Sequence, residues 1–254
     1  MTKELLGSLE LNRIYQRDCL GVGGMALIPD KSIDMILCDL PYGTTACKWD
    51  SIIPFEPLWE QYERIIKEGG AIVLTSSQPF TTKLINSNID LFKYCWVWNK
   101  KKGGNIFNAK YQPMKIHEDI CVFGKGTIKY NPQMVKRDKV KKSKNYGTGE
   151  AFGGDKTPES KTYIYTHTYP KSIIEFSNAV QKGKVHPTQK PVPLFEYLIK
   201  TYTEENNVVL DNCMGSGTTA VACVRTNRRF IGFETQPEYI EIANKRLDNE
   251  EESS

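Results

Sequence analysis

Three short clusters bring together residue types that can do chemistry. Asp39-Leu40-Pro41-Tyr42-Gly43 stands directly after the apolar run 33–38. Ligands of open α/β sheets bind outside the carboxyl ends of the strands, so a carboxylate and an aromatic here sit where a site is expected. Asp211-Asn212-Cys213-Met214-Gly215-Ser216-Gly217-Thr218-Thr219 follows a second apolar run, 208–210. Its glycines let the backbone approach a ligand closely, and its amides open a helix. The spacing is neither GxGxxG nor that of a phosphate-binding P-loop, which excludes both readings. Glu234 closes a third run, 230–233. An acid about 20 residues after a glycine turn suits hydrogen bonds to ribose hydroxyls. Each cluster alone is also what a plain strand-to-helix connection looks like; their combination carries the weight.

Positioning such clusters takes alternating strands and helices. The runs 33–38, 71–75, 94–98, 120–123, 208–210 and 230–233 have strand length, and several are apolar on successive residues, as in strands covered on both faces. Helical patterns lie at 56–67, 80–86, 193–202, 218–226 and 237–247; the last starts with Pro237 and repeats Ile240, Ala243 and Leu247 on one face. The alternation predicts an α/β fold, a doubly wound, mainly parallel Rossmann-like sheet. Runs 94–98 and 120–123 have no helix between them and are expected to pair antiparallel at one edge. The rhythm stops at about residue 124 and resumes at about 185. Residues 1–124 and 185–254 are therefore expected to form one catalytic domain, with 125–184 inserted into it.

Charge separates the same two parts. The 254 residues carry a net charge of only +4, but segment 125–184 holds thirteen Lys and Arg against five acids, +8, leaving −4 for the rest. A mildly acidic body with one basic segment fits a polyanion-binding protein. Its densest run is Lys136, Arg137, Lys139, Lys141, Lys142 and Lys144, the candidate polyanion-contacting residues. Phe107 and Tyr111, after Lys100-Lys101-Lys102, are further candidates to approach the same polyanion. Mean hydropathy is −0.46, no run approaches the ~18 apolar residues of a spanning helix, and the N-terminus lacks a signal-peptide pattern; a cytoplasmic protein with no membrane contact is expected. The seven cysteines are odd in number and form no CxxC pair, and there are three histidines without an HExxH. Reduced, mostly buried thiols and no metal site are expected. Trp49 and Trp59 are expected in the core.

Taken in order, DLPYG, HPTQKP (186–191), DNCMGSGTT and GFE resemble the amino-methyltransferases of DNA that use S-adenosylmethionine, in the permuted motif order of their β group. The likeness spans roughly residues 14–247. It implies that Asp211, Gly215, Ser216, Gly217 and Thr218 shape the pocket for the methionine part of the cofactor, and that Glu234 binds its ribose. It further implies that Asp18, beside Cys19, accepts from the adenine amino group, and that Thr188 and Lys190 hold the cofactor carboxylate. The implied catalytic set is Asp39, Leu40, Pro41 and Tyr42, with Asp39 also at the cofactor. An exocyclic amino nitrogen is a poor nucleophile because its lone pair delocalises into the ring. Two acceptors on its hydrogens, the Asp39 carboxylate and the Leu40 carbonyl, would favour a tetrahedral nitrogen, with Pro41 fixing the turn. Tyr42 would stack on the base once it leaves the duplex.

In this family aspartate at the first motif position usually accompanies adenine N6 methylation and serine cytosine N4, so Asp39 favours adenine, with N4-cytosine as the alternative. Ring-carbon methylation needs a cysteine after proline, and no Pro-Cys occurs. Leu40 and Asn212-Cys213 depart from the commoner proline and Pro-Phe. His117-Glu118 matches a pair common in the family, where a packing or hydrogen-bonding role is expected of the histidine. Double-stranded DNA is the implied partner and a homodimer is compatible with the family. RNA or protein-amide methylation, or binding without catalysis, are the competing classes.

Overall fold

The chain, in a computed structural model, is described over residues 3–45, 47, 50–104, 106–144, 162–178 and 189–251. Twelve strands and five α-helices follow one another among these residues. The strands are β1 (Leu5–Leu6), β2 (Leu9–Glu10), β3 (Arg13–Gln16), β4 (Ile33–Cys38), β5 (Ile66–Ser76), β6 (Phe92–Gly104), β7 (Lys115–Phe123), β8 (Val135–Lys144), β9 (Thr162–Thr168), β10 (Ile173–Glu175), β11 (Val208–Asp211) and β12 (Arg229–Glu234). The helices are α1 (Phe55–Ile65), α2 (Phe80–Ser87), α3 (Val192–Tyr202), α4 (Thr218–Arg225) and α5 (Pro237–Glu251).

Eight strands form one sheet in the order β10-β6-β7-β5-β4-β11-β12-β3. Only β7 runs against its neighbours β5 and β6; the other pairings are parallel. Successive residues of a strand face opposite sides, and both sides are covered. Ile36, Cys38, Ile72, Leu74, Leu210 and Phe233 pack with Leu58, Trp59 and Tyr62 of α1 and Phe80 of α2. Met35, Leu37, Ala71, Val73, Val209 and Phe230 pack with Leu198 of α3, Ala220 of α4 and Ala243 of α5. Fully burying one such large aliphatic side chain stabilises the fold by about 1.5–3 kcal/mol, so two layers of them hold the strand ends firmly. This is the doubly wound, mainly parallel α/β architecture expected from the alternation.

Departures from the expected elements have simple causes. The runs 94–98 and 120–123 do pair antiparallel, but β10 pairs with β6 and takes the edge. β10 has one buried side chain, Ile174, and β3 likewise only Ile14; strands held by backbone pairing alone leave little apolar pattern to read. Trp59 lies in the core, whereas Trp49 is outside the described residues. All described cysteines are free thiols. Among the described residues no helix is long and apolar enough to cross a membrane.

Two compact units divide the chain, Met1–Asn131 with Ser172–Ser254, and Pro132–Lys171. The second lies inside the expected insertion, but residues 125–131 and 172–178 at its two ends belong to the first unit, since β10 is a strand of the main sheet. Within the second unit β8 pairs antiparallel with β9. Lys136, Lys139, Lys141 and Lys142 are exposed on this ribbon, and Arg137 donates through Nε to the His167 carbonyl at 3.1 Å. Lys144 is placed by its backbone, opposite Thr162. Tyr163 and Tyr165 stack on each other at 6.3 Å across the ribbon's partner strand, both about half exposed.

Candidate active site

The carboxyl ends of four neighbouring parallel strands converge on one cavity. Asp18 and Cys19 follow β3, Asp39 to Tyr42 follow β4, Asp211 to Ser216 end β11, and Glu234 and Thr235 end β12; all line a cavity of about 770 Å³. Among the described residues, six carboxylates (Asp18, Asp39, Asp50, Glu118, Asp211, Glu234) but only two ammonium groups (Lys115, Lys190) belong to its wall. Such a wall favours a cationic or hydroxyl-rich ligand over a polyanion.

At the β4 end Asp39 is tied down on both oxygens. Its Oδ1 accepts from the Thr75 hydroxyl and from the Tyr42 hydroxyl at 2.9 Å. Its Oδ2 accepts from Lys190 Nζ at 2.7 Å. A carboxylate oxygen has two lone-pair positions, so Oδ1 is filled and, among the described residues, Oδ2 keeps one position open. The Tyr42 ring is stacked on Phe80 at 5.1 Å and 23°. Burial, with the negative charges of Asp39 and Glu118, holds the Tyr42 phenol well above its ordinary value, so Tyr42 stays a donor. Lys190, only 8% exposed, sits between Asp39 and Glu118, whose Oε2 is 3.6 Å away. Burial alone would lower its ammonium pKa; the two facing carboxylates outweigh this and raise it. Glu118 is held below the carboxylate range by Lys190 and Lys100 against the opposite push of burial, and its Oε2 accepts no hydrogen bond among the described residues.

The β11 end is a turn built on two glycines. Gly215 and Gly217 have φ of +53° and +83°, in the left-handed region that other residues rarely adopt. A Cβ on Gly217 would lie 2.7 Å from the Ala243 Cβ of α5. Gly217 is not among the residues of the cavity wall; it faces Ala243 of α5 and shapes the turn from behind. Arg246 of α5 clasps the same turn, donating to the Ser216 carbonyl at 2.5 Å. Asp211, 2% exposed, accepts from the Thr219 hydroxyl and from the Cys213 N–H at 3.0 Å. Burial pushes its carboxyl up to about 6, these hydrogen bonds offsetting part of the push. Glu234 Oε2 accepts the Gly215 N–H at 2.8 Å, and Oε1 accepts the N–H groups of Thr235 and Gln236, which locks the β12 end to the glycine turn. Asp18 Oδ1 accepts the Leu20 N–H at 2.9 Å.

Several positioning groups were not legible as such. Asp50, buried, accepts from the N–H groups of Gly43, Thr44 and Thr45 at 2.7–2.9 Å and so shapes the loop after Tyr42. Burial opposes its charge, yet these bonds and the Thr45 side chain hold its pKa below the usual value. Asn212, in place of the commoner proline, is satisfied by the Tyr62 hydroxyl at 2.5 Å and by the thiols of Cys19 and Cys213. Leu40 is buried and Pro41 half-buried beside Asp39. Thr218 donates to the Lys190 carbonyl at 3.4 Å, joining Lys190 to the glycine turn. The Lys190 ammonium meets Asp39 and Glu118, whose two charges face it directly. Thr188 lies outside the described residues. His117 is exposed and outside the cavity wall.

Residues 33–245 match the family model described as DNA methylase, of the N6/N4 methyltransferases. The chain belongs to the N6/N4 DNA methylase family. The adenine methyltransferase YhdJ of Escherichia coli (strain K12) is 28% identical over 252 residues, covering 87% of this chain and 78% of its own. Among solved structures, the M1.HpyAVI–SAM complex superposes with a TM-score of 0.62 at 23% identity, over 92% of this methylase and 98% of that chain. The cytosine-N4-specific PvuII DNA methyltransferase superposes at 0.68 with 16% identity, over 92% and 85%. These two likenesses concern the fold. The glycine turn and Asp39 thus lie at strand ends of a methylase sheet.

Proposed function

We propose that this DNA methylase transfers a methyl group from S-adenosylmethionine to the N6 amino group of adenine in double-stranded DNA, in the permuted order of the β group. The observation that carries the reading is Asp39, a carboxylate fixed at the strand end of the cavity with one acceptor position open on Oδ2. The cavity residues fit the cofactor: an acidic wall suits its sulfonium and ammonium charges, and Asp18 and Glu234 offer carboxylate oxygens to amino and hydroxyl groups. Asp18, Cys19, Asp211, Gly215, Ser216, Thr218 and Glu234 would hold it, with Thr188 and Lys190 of the 186–191 segment beside them. When bound, S-adenosylmethionine supplies an electrophilic methyl group.

The chain's own residues do the rest. Oδ2 of Asp39 and the Leu40 carbonyl accept the two amino hydrogens, which localises the lone pair on nitrogen. Lys190 orients Asp39, while Thr75 and Tyr42 prevent its rotation. Tyr42, wedged against Phe80, takes the stacking role for a base turned out of the duplex. The proton released from nitrogen passes to Asp39 Oδ2. Positioning of this kind accounts for large accelerations without a covalent intermediate. Phosphates fall to the second unit: a two-stranded ribbon fits the major groove, and Lys136, Arg137, Lys139, Lys141, Lys142 and Lys144 supply the charge.

Aspartate at position 39 and the adenine specificity of YhdJ support adenine over cytosine N4. Tritiated methyl transfer to unmethylated DNA, with the labelled nucleoside identified after digestion, tests this. N6-methyladenine is expected; N4-methylcytosine overturns the base assignment, and no label on any DNA overturns the activity. Asp39→Ala should lower turnover by about 10²–10³-fold, the scale of losing one preorganised polar contact, while cofactor binding persists.

A further inference from the structure

The β6–β7 hairpin runs past the sheet and ends in a tip that no described residue of the first unit covers. At the tip Phe107 is 92% exposed, Tyr111 88% and Ile106 68%. Large apolar side chains grouped in the open mark an interaction surface. The tip has definite backbone structure: Ala109 N–H donates to the Ile106 carbonyl at 3.1 Å and Tyr111 N–H to the Asn108 carbonyl at 2.9 Å.

Charge says what the surface meets. Between Asn99 and His117 stand five lysines and no acid. Lys100 pairs with Glu118 and Lys101 with Glu175, while Lys102, Lys110 and Lys115 pair with no carboxylate among the described residues. A protein or lipid-tail surface would gain little from bare lysines around two aromatics, whereas nucleic acid offers phosphates for the first and base faces for the second. The hairpin also starts at the site itself: Lys115, opposite Gly104, lines the cavity, as does Glu118.

We propose that this tip enters the DNA duplex beside the target nucleotide, Phe107 and Tyr111 stacking on bases while Lys102, Lys110 and Lys115 meet the flanking phosphates. The proposal rests on the DNA methyltransferase reading, and its test is separable from it. Two readouts on the full chain need no turnover. The first is the affinity of Phe107→Ala/Tyr111→Ala for duplex DNA carrying one abasic position, which should fall by about tenfold or more. Thermal stability and S-adenosylmethionine binding should be unchanged, because both side chains protrude from the fold. The second is the emission of Phe107→Trp, which the same duplex should quench relative to the unsubstituted protein. Both effects together sustain the proposal. Unaltered affinity overturns it, as does unaltered emission, and so does loss of a self-associated species with DNA binding intact. Methyl transfer by the unsubstituted protein is measured in parallel; its failure would refute the activity and leave the two tip readouts to decide the contact.

Discussion

Asp211→Asn should make the protein more stable and its cofactor site worse. The carboxyl of Asp211 is pushed from 3.8 up to about 6, chiefly by burial. A folded value above the unfolded one means that the folded state holds the proton more tightly. The stability from this group is therefore complete below pH 3.8 and is lost as pH rises through about 6. Above that, keeping the carboxylate ionised costs about 3 kcal/mol, from roughly two pKa units at 1.36 kcal/mol each. Asparagine has the same shape and no charge, so it escapes the penalty. It is a weaker acceptor for the Cys213 N–H and the Thr219 hydroxyl, which returns ~1 kcal/mol. The net gain of ~2 kcal/mol corresponds to roughly 4–8 °C in Tm for a chain of this size. Thermal unfolding of both proteins from pH 4 to pH 8 reads it directly. The curves should converge near pH 4 and separate through pH 6, with the variant above, while calorimetry at pH 8 finds weaker S-adenosylmethionine binding. A variant less stable than the parent at pH 8 would refute the reasoning, because the carboxylate would then be a net stabiliser.

Gly217→Ala should destabilise by about 1–3 kcal/mol, since it combines a left-handed φ with a Cβ in contact with Ala243; the urea midpoint measures it, and an unchanged midpoint would contradict the tight fit. Asp50→Ala removes the acceptor of three loop N–H groups. Turnover should fall by about 10–100-fold through misplacement of the Asp39–Tyr42 turn, and Asp50→Asn should recover part of it; equal kcat in all three proteins would sever the loop from the chemistry. Because the Asp50 pKa is lowered, its contribution to stability is present above the unfolded value and lost as pH falls through the folded one. The alanine variant should lack that acid-side slope in a pH series of unfolding midpoints. Replacing Lys136, Lys139, Lys141 and Lys142 by Gln should reduce the slope of log affinity against log salt by about 3–4 on duplex DNA, and an undiminished slope would place the phosphate contacts elsewhere.

Much of this site was legible because its signals are local. Glycine at 215 and 217 answers to a backbone that bends through positive φ, and acids at 39, 211 and 234 stand where apolar runs end. A run such as 33–38, apolar on consecutive residues, announces a strand covered on both faces, and such strands in alternation with helices leave few architectures to choose from. The weakly apolar strands β3 and β10 were silent for the opposite reason: each buries one side chain, and backbone pairing has no residue code.

What the sequence determined by itself was therefore the class of fold, the strand ends that bear chemistry, and the methylase family those motifs resemble. Only the tertiary structure decided which charges meet. Asp39 and Lys190 are 151 residues apart along the chain yet form an ion pair at 2.7 Å, with Glu118 of β7 on the other side of the ammonium. No spacing rule encodes that contact, because it depends on how β4, β7 and the segment before α3 are laid side by side. It also sets the Lys190 ammonium beside the carboxylate of Asp39. A side chain's ligand is fixed by the nearest opposite charge in a poorly solvated place, and proximity of that kind exists only after the chain has folded.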